Sequence, residues 1–174
     1  MITVVIVVAV VALLFTWVTF TAARVDRLHH RVDAARAALD AALVRRAATA
    51  HALVDRSTDT LGAELTGRLR DAVRTALDAG EADREAAEND LSGALAALPA
   101  GVDPERLVDL REASTRVVLA RRFYNDAVRD TRALRGRWVP RLLRLGGRRA
   151  VPGFFEINEV TPSADDRPVG GRSG

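Results

Sequence analysis

Hydrophobic and polar positions along the chain divide into one unbroken apolar block and then four stretches in which apolar residues recur at helical spacing. From Ile2 to Ala23 there is no charged residue, and the run is closed by Arg24, Arg27, His29, His30 and Arg31. As a helix this block would extend about 33 Å, enough to cross the ~30 Å hydrocarbon core of a bilayer. Thr3, Thr16, Thr19 and Thr21 can return their hydroxyls to the helix backbone, and Trp17 and Phe20 sit toward one interface. The block therefore reads as a transmembrane anchor over 1–23. A cleaved secretory signal is the competing reading. It fits less well, because no basic residue precedes the run, the run is too long, and Thr21-Ala22-Ala23 is a weak cleavage match. The basic flank predicts orientation: arginines near the end of a span stay on the cytoplasmic side, which puts Met1 outside and residues 24 onward in the cytoplasm.

Beyond the anchor, Val25, Leu28, Val32, Ala35, Leu39 and Ala42 alternate three and four apart, a seam of coiled-coil type, and the seam then drifts to Leu43, Ala47, Ala50 and Val54. Such drift is expected of a helix in a bundle. Ser57 to Gly62 is the first weak point, with side-chain caps and a glycine but no proline. A second helix is carried by Leu61, Leu65, Leu69, Val73 and Leu77 and stops at Gly80; a third places Glu81, Asp83 and Glu85 in its first turn and buries Ala87, Leu91, Leu95 and Leu98. After the loop at Pro99, Asp103 and Pro104 supply an N-cap and a first-turn proline for helix four. That helix runs to about Gly136 on Leu107, Leu110, Ala113, Val117, Tyr124, Val128 and Leu134. The predicted fold is all-α: an N-terminal transmembrane helix continuing into an antiparallel four-helix bundle over 24–136. If the helices alternate in direction, their lengths at ~1.5 Å per residue return the end of helix four to the base of the anchor.

Composition narrows the chemistry. Cysteine is absent, which excludes disulfides, thiolate metal sites and cysteine nucleophiles. All 26 basic residues are arginine, aromatics make up 5%, and prolines occur only beyond residue 98, a profile that favours helices. Seven arginines and no acid occur between Thr131 and Phe155: Arg132, Arg135, Arg137, Arg141, Arg144, Arg148 and Arg149, with Trp138, Leu142, Leu143, Phe154 and Phe155 interleaved. Two readings fit this basic membrane-proximal segment, 137–156 with the helix end before it. The arginines and Trp138 contact anionic headgroups, or they form the solvated, dipole-favoured end of a helix. Nucleic acid is disfavoured by the anchor and by the lack of a recognisable binding module. From 157 to the C-terminus Pro, Ser, Asp, Gly and Arg dominate, as in a disordered tail.

Catalytic candidates are thin. His29 and His30 are adjacent and face different sides of a helix, and His51 lies too far along it to join them, so neither a metal nor another cofactor is expected. Glu81, Asp83, Glu85, Glu88 and Asp90, with Arg84 among them, read as a solvated helix face; Glu85 and Glu88 lack the following histidine of di-iron bundles. Gly146-Gly147 is not a phosphate loop, and Ser92 beside Gly93 reads as a close-packing position. No pair of groups for acid–base or nucleophilic work can be named, so an enzyme is not expected.

Arg121-Arg122-Phe123-Tyr124-Asn125-Asp126-Ala127-Val128, after Val117 to Ala120, resembles the A-R-R-x-Y-N-x-A-V stretch of the LemA family of bacterial membrane-anchored helical proteins. Other pieces follow in the same order: Val25 to Val32, Leu43-Val44-Arg45-Arg46 with Leu53-Val54, Leu91-Ser92-Gly93-Ala94-Leu95, and the closing Pro140, Gly146 and Phe154-Phe155-Glu156. The chain departs from the family pattern at His51, where a proline is usual, and over Ala113 to Val117, where a T-E-N-R-I stretch is usual. The resemblance is to a divergent member. It implies an N-terminal anchor, an antiparallel bundle and no established activity, and it singles out Arg121, Arg122, Tyr124 and Asn125. The simplest role for Tyr124 is packing with its hydroxyl bonded to a neighbouring helix, and for Asn125 a local hydrogen bond. Two functions remain open: a membrane-tethered interaction or scaffold protein with the lipid bilayer and an unidentified protein as partners, or a small-ligand or lipid-binding bundle with a cavity near Tyr124 and Arg121. Oligomeric state is not legible.

Overall fold

The computed structural model describes residues 1–135 and 153–157. It holds four helices, α1 (Ile2–Arg56), α2 (Thr58–Asp78), α3 (Arg84–Ala96) and α4 (Pro104–Arg135), with no strand among the described residues. The fold is all-α. Two compact units divide it: the first takes Met1–Ala38 with 122–135 and 153–154, the second Leu39–Arg121 with 155–157.

In the first unit the apolar run is helical and bare. Ile2, Phe15 and Phe20 are 78%, 70% and 71% exposed, the opposite of what burial of apolar surface dictates for a helix in water. By length and composition this helix can cross a membrane. Its hydroxyls are turned inward to the backbone: Thr16 donates to the Ala12 carbonyl at 2.9 Å, Thr19 to Thr16 at 2.8 Å and Thr21 to Trp17 at 2.8 Å. Past the run, α1 and the last turns of α4 lie side by side and antiparallel. Val32 and His29 are buried on α1, and Tyr124, Ala127, Val128, Thr131 and Leu134 on α4. Arg31 Nη1 donates to Asp130 Oδ2 at 3.1 Å across the two helices. The end of α4 thus returns to the base of the apolar run, as the alternating-direction geometry requires.

In the second unit one core draws on all four helices: Ala47, Ala50, Leu53 and Val54 from α1, Leu69, Val73 and Ala76 from α2, Ala87, Leu91 and Leu95 from α3, Leu107 and Leu110 from α4. Short turns make consecutive helices antiparallel. Arg84, first residue of α3, donates to the Ala76 carbonyl at 3.2 Å and satisfies an orphan acceptor at the end of α2. Asp103 caps α4, its Oδ1 accepting from the Glu105 amide at 3.0 Å, and Pro104 opens the helix as expected.

The α1–α2 boundary falls at Ser57, which has non-helical φ −124° and ψ 16°. A second interruption sits inside α2 at Gly62 (φ 74°, ψ 164°), a conformation open in practice to glycine alone. The weak stretch read from the sequence is therefore two breaks, and Leu61, between them, is still buried.

Several expectations are corrected. The third helix begins at Arg84, after a turn over 81–83, so of its acidic trio only Glu85 lies in the first turn. Leu77 is 42% exposed and Leu65 half-buried, while Thr66 and Ala76 are buried in their place. The apolar face follows the true 3.6-residue period, and a strict four-residue stripe drifts off it. Ile157, assigned to the disordered tail, is buried; the rest of that tail, from Asn158, lies outside the described residues.

Candidate functional site

Arg46 and Glu88 sit at core registers of their helices. Arg46 is three residues past Leu43 and four before Ala50; Glu88 is three before Leu91 and seven before Leu95. Folding α1 against α3 therefore carries both charged groups inside, where they become each other's partner. Arg46 Nη2 donates to Glu88 Oε2 and, at 3.3 Å, to the Glu88 main-chain carbonyl. Arg46 Nη1 donates to Ser92 Oγ at 3.2 Å, and Ser92 Oγ donates back to the Glu88 carbonyl at 2.8 Å. The expectation that Glu88 belongs to a solvated face is overturned: Glu88 is fully buried, and Ser92 is a hydrogen-bonding member of this cluster.

Polar satisfaction here is incomplete. Among the described residues, Glu88 Oε1 and Arg46 Nε have no hydrogen-bond partner. The lost hydration of the carboxylate outweighs the attraction and hydrogen bonding of Arg46 and the charge of Arg84, so burial pushes the Glu88 carboxyl above its ordinary range. Such a pair costs desolvation on both ions and is weak evidence for net stability; it fixes which faces of α1 and α3 meet. A helical wheel that counted Arg46 and Glu88 by register, disregarding their polarity, would have found it.

The residues singled out by the family resemblance all lie on α4. Tyr124 is buried, and its hydroxyl donates to the Gly153 carbonyl at 2.9 Å. This acceptor lies in the non-helical closing segment, where a neighbouring helix was expected. Arg121 and Asn125 are half-buried, Arg122 is exposed, and Phe123 between them is 65% exposed. Of the arginines proposed for membrane contact, Arg132 is exposed and holds its guanidinium 4.5 Å above the Phe154 ring, and Arg135 ends α4. Arg137, Trp138, Arg141, Arg144, Arg148 and Arg149 lie outside the described residues, as do Pro140 and Gly146.

The histidines separate. His51 Nδ1 lies 3.1 Å from Asp55 Oδ2, and Arg70 Nη2 donates to the other oxygen, Asp55 Oδ1, at 3.0 Å. His29 is buried with Nε2 unpartnered among the described residues, and His30 is exposed. Among the described residues no three possible metal ligands converge.

No family model, curated protein or solved structure matches the chain. Function must be argued from the arrangement itself.

Proposed function

We propose that this chain is a single-pass, membrane-anchored helical bundle of the LemA type, acting without chemistry of its own as an interaction or scaffold module at the cytoplasmic face of the membrane. The observation that carries this reading is α1: its first twenty residues present large apolar side chains to the outside, and the same helix then buries Val32, Leu39 and Leu43. An anchor followed directly by a bundle helix is what that pattern requires. The groups with most chemical potential are engaged in structure. Arg46, Glu88 and Ser92 bond one another, His51 meets Asp55, and Tyr124 is bonded to Gly153. The LemA assignment is supported by the matching stretch lying on one helix with Tyr124, Ala127 and Val128 buried along it.

Val108 and Leu119 of α4 are 56% and 47% exposed. Eleven residues is close to three helical turns, so they share a face, with the exposed Glu112 and Thr115 between them, and offer a partner two apolar points within a polar surface. Two experiments test the reading. Single cysteines replacing the exposed Ala63 and Ala100, and Ser163, in this cysteine-free chain should be protected from an impermeant thiol reagent until the membrane is breached; labelling in intact cells would reverse the orientation. A photo-crosslinker at Leu119 in intact membranes should yield a discrete adduct that L119E, with the crosslinker moved to Val108, removes; absence of any specific adduct would sink the docking role.

A further inference from the structure

Within the first unit, α1 and α4 enclose an open groove of about 630 Å³ directly below the apolar run. Arg24, Arg27 and Arg31 line one wall, Asp130 faces them, and Leu28 and Leu134 form an apolar floor. From this geometry we infer that the groove binds the phosphodiester of an anionic glycerophospholipid. The inference rests on the membrane-anchored reading and gives it a specific ligand.

Three observations converge on that chemistry. First, residues 24, 27 and 31 fall within about 60° of one another round the helix, so their guanidiniums form a single stripe about 10 Å long. Asp26, the nearest acid in sequence, lies about 130° away from the middle of that stripe. Second, the stripe is under-neutralised: only Arg31 is paired, with Asp130, and both partners of that pair remain more than half exposed at 57% and 52%. Arg24 and Arg27 are exposed and have no hydrogen-bond or ion-pair partner among the described residues. Third, depth is set by covalent continuity. Arg24 follows the last residue of the span, and the headgroup layer of a leaflet is roughly 5–8 Å deep. Arg24 and Arg27 therefore lie at phosphate level, and Arg31, about 12 Å past the span, lies beyond that layer. Planar guanidiniums match phosphate oxygens in bidentate fashion, and a zwitterionic headgroup would add a cation to an already cationic groove.

The full chain in detergent, offered equimolar phosphatidylglycerol and phosphatidylcholine and read by native mass spectrometry, should retain phosphatidylglycerol preferentially. R24Q/R27Q should lower that preference by roughly 10- to 30-fold, from about a fivefold effect per arginine near the surface. R68Q/R74Q, which removes the same charge from exposed positions on α2, should leave it unchanged. Equal loss in both double variants, or a preference that survives R24Q/R27Q, overturns the groove. Displacement of the lipid by millimolar inorganic phosphate overturns the lipid assignment in favour of a soluble anion. Flotation with pure phosphatidylcholine vesicles separates the two readings: wild type that fails to float sinks the anchor, whereas wild type that floats but shows no preference sinks only the groove.

Discussion

Arg46 of α1 and Glu88 of α3 form an ion pair with side chains only 4% and 1% exposed. Removing either partner strands a buried charge, whereas replacing both by apolar residues removes two desolvation costs together. R46M and E88L should each destabilise the full chain by about 3–5 kcal/mol, and R46M/E88L should recover most of that loss. Denaturant unfolding in detergent, arranged as a double-mutant cycle, measures it. Additive losses would mean that the two groups are not coupled.

The same carboxyl makes stability depend on pH. Because burial raises its pKa above the ordinary 4.5, the folded state binds a proton more readily than the unfolded chain over the interval from 4.5 up to the raised value. The contribution of Glu88 is therefore complete below 4.5 and declines as pH rises through the folded-state pKa. In thermal melts across mildly acidic pH, E88Q should lack this component of the slope. An identical pH dependence in E88Q and wild type would show that Glu88 does not titrate differently on folding.

Two glycines of α2 should respond in opposite directions to alanine. Gly62 has φ 74°, so a β-carbon there meets backbone strain although, among the described residues, nothing beyond its own chain neighbours lies within 4 Å of it, and G62A should cost about 1–3 kcal/mol. Gly67 is helical and equally uncrowded, so G67A should stabilise by about 0.5–1 kcal/mol. Unfolding midpoints of the two variants decide the matter. A gain in both would mean that Gly62 is helical in solution.

Tyr124 ties α4 to the closing segment through its bond to Gly153. Y124F keeps the ring and loses that bond, a change of about 0.5–1.5 kcal/mol. Limited proteolysis should then cut near Phe154 sooner, while the core amides of Leu91 and Leu110 keep their protection from hydrogen exchange. Unchanged cleavage would show that the hydroxyl does not hold the segment.

Helix number and most of the core were legible because apolar periodicity is a direct consequence of burial. Every residue assigned to the buried side of α4, from Leu107 to Leu134, is buried. Misreadings arose where polarity served as a proxy for exposure. Glu88 looked like surface because charged side chains usually are, yet its position relative to Leu91 and Leu95 places it inward. Gly62 gave a propensity signal without revealing its sign of φ, which depends on how α1 and α2 meet. The basic groove was equally hidden: Arg24, Arg27 and Arg31 indicated orientation, but Asp130 lies 99 residues from Arg31, a separation that only the fold closes.

The apolar span and the arginine stripe share one uninterrupted helix, and this sets a reading frame for insertions and deletions. A residue added near Met1 lengthens the apolar rod and leaves the stripe in phase with α4. The same residue added between Arg24 and Arg31 turns Arg24 about 100° away from Asp130 and shifts it about 1.5 Å along the axis. Length variation among natural versions of this chain should accordingly collect at the Met1 end of the apolar run, with the spacing from Arg24 to Arg31 held constant in number even where the residues themselves change.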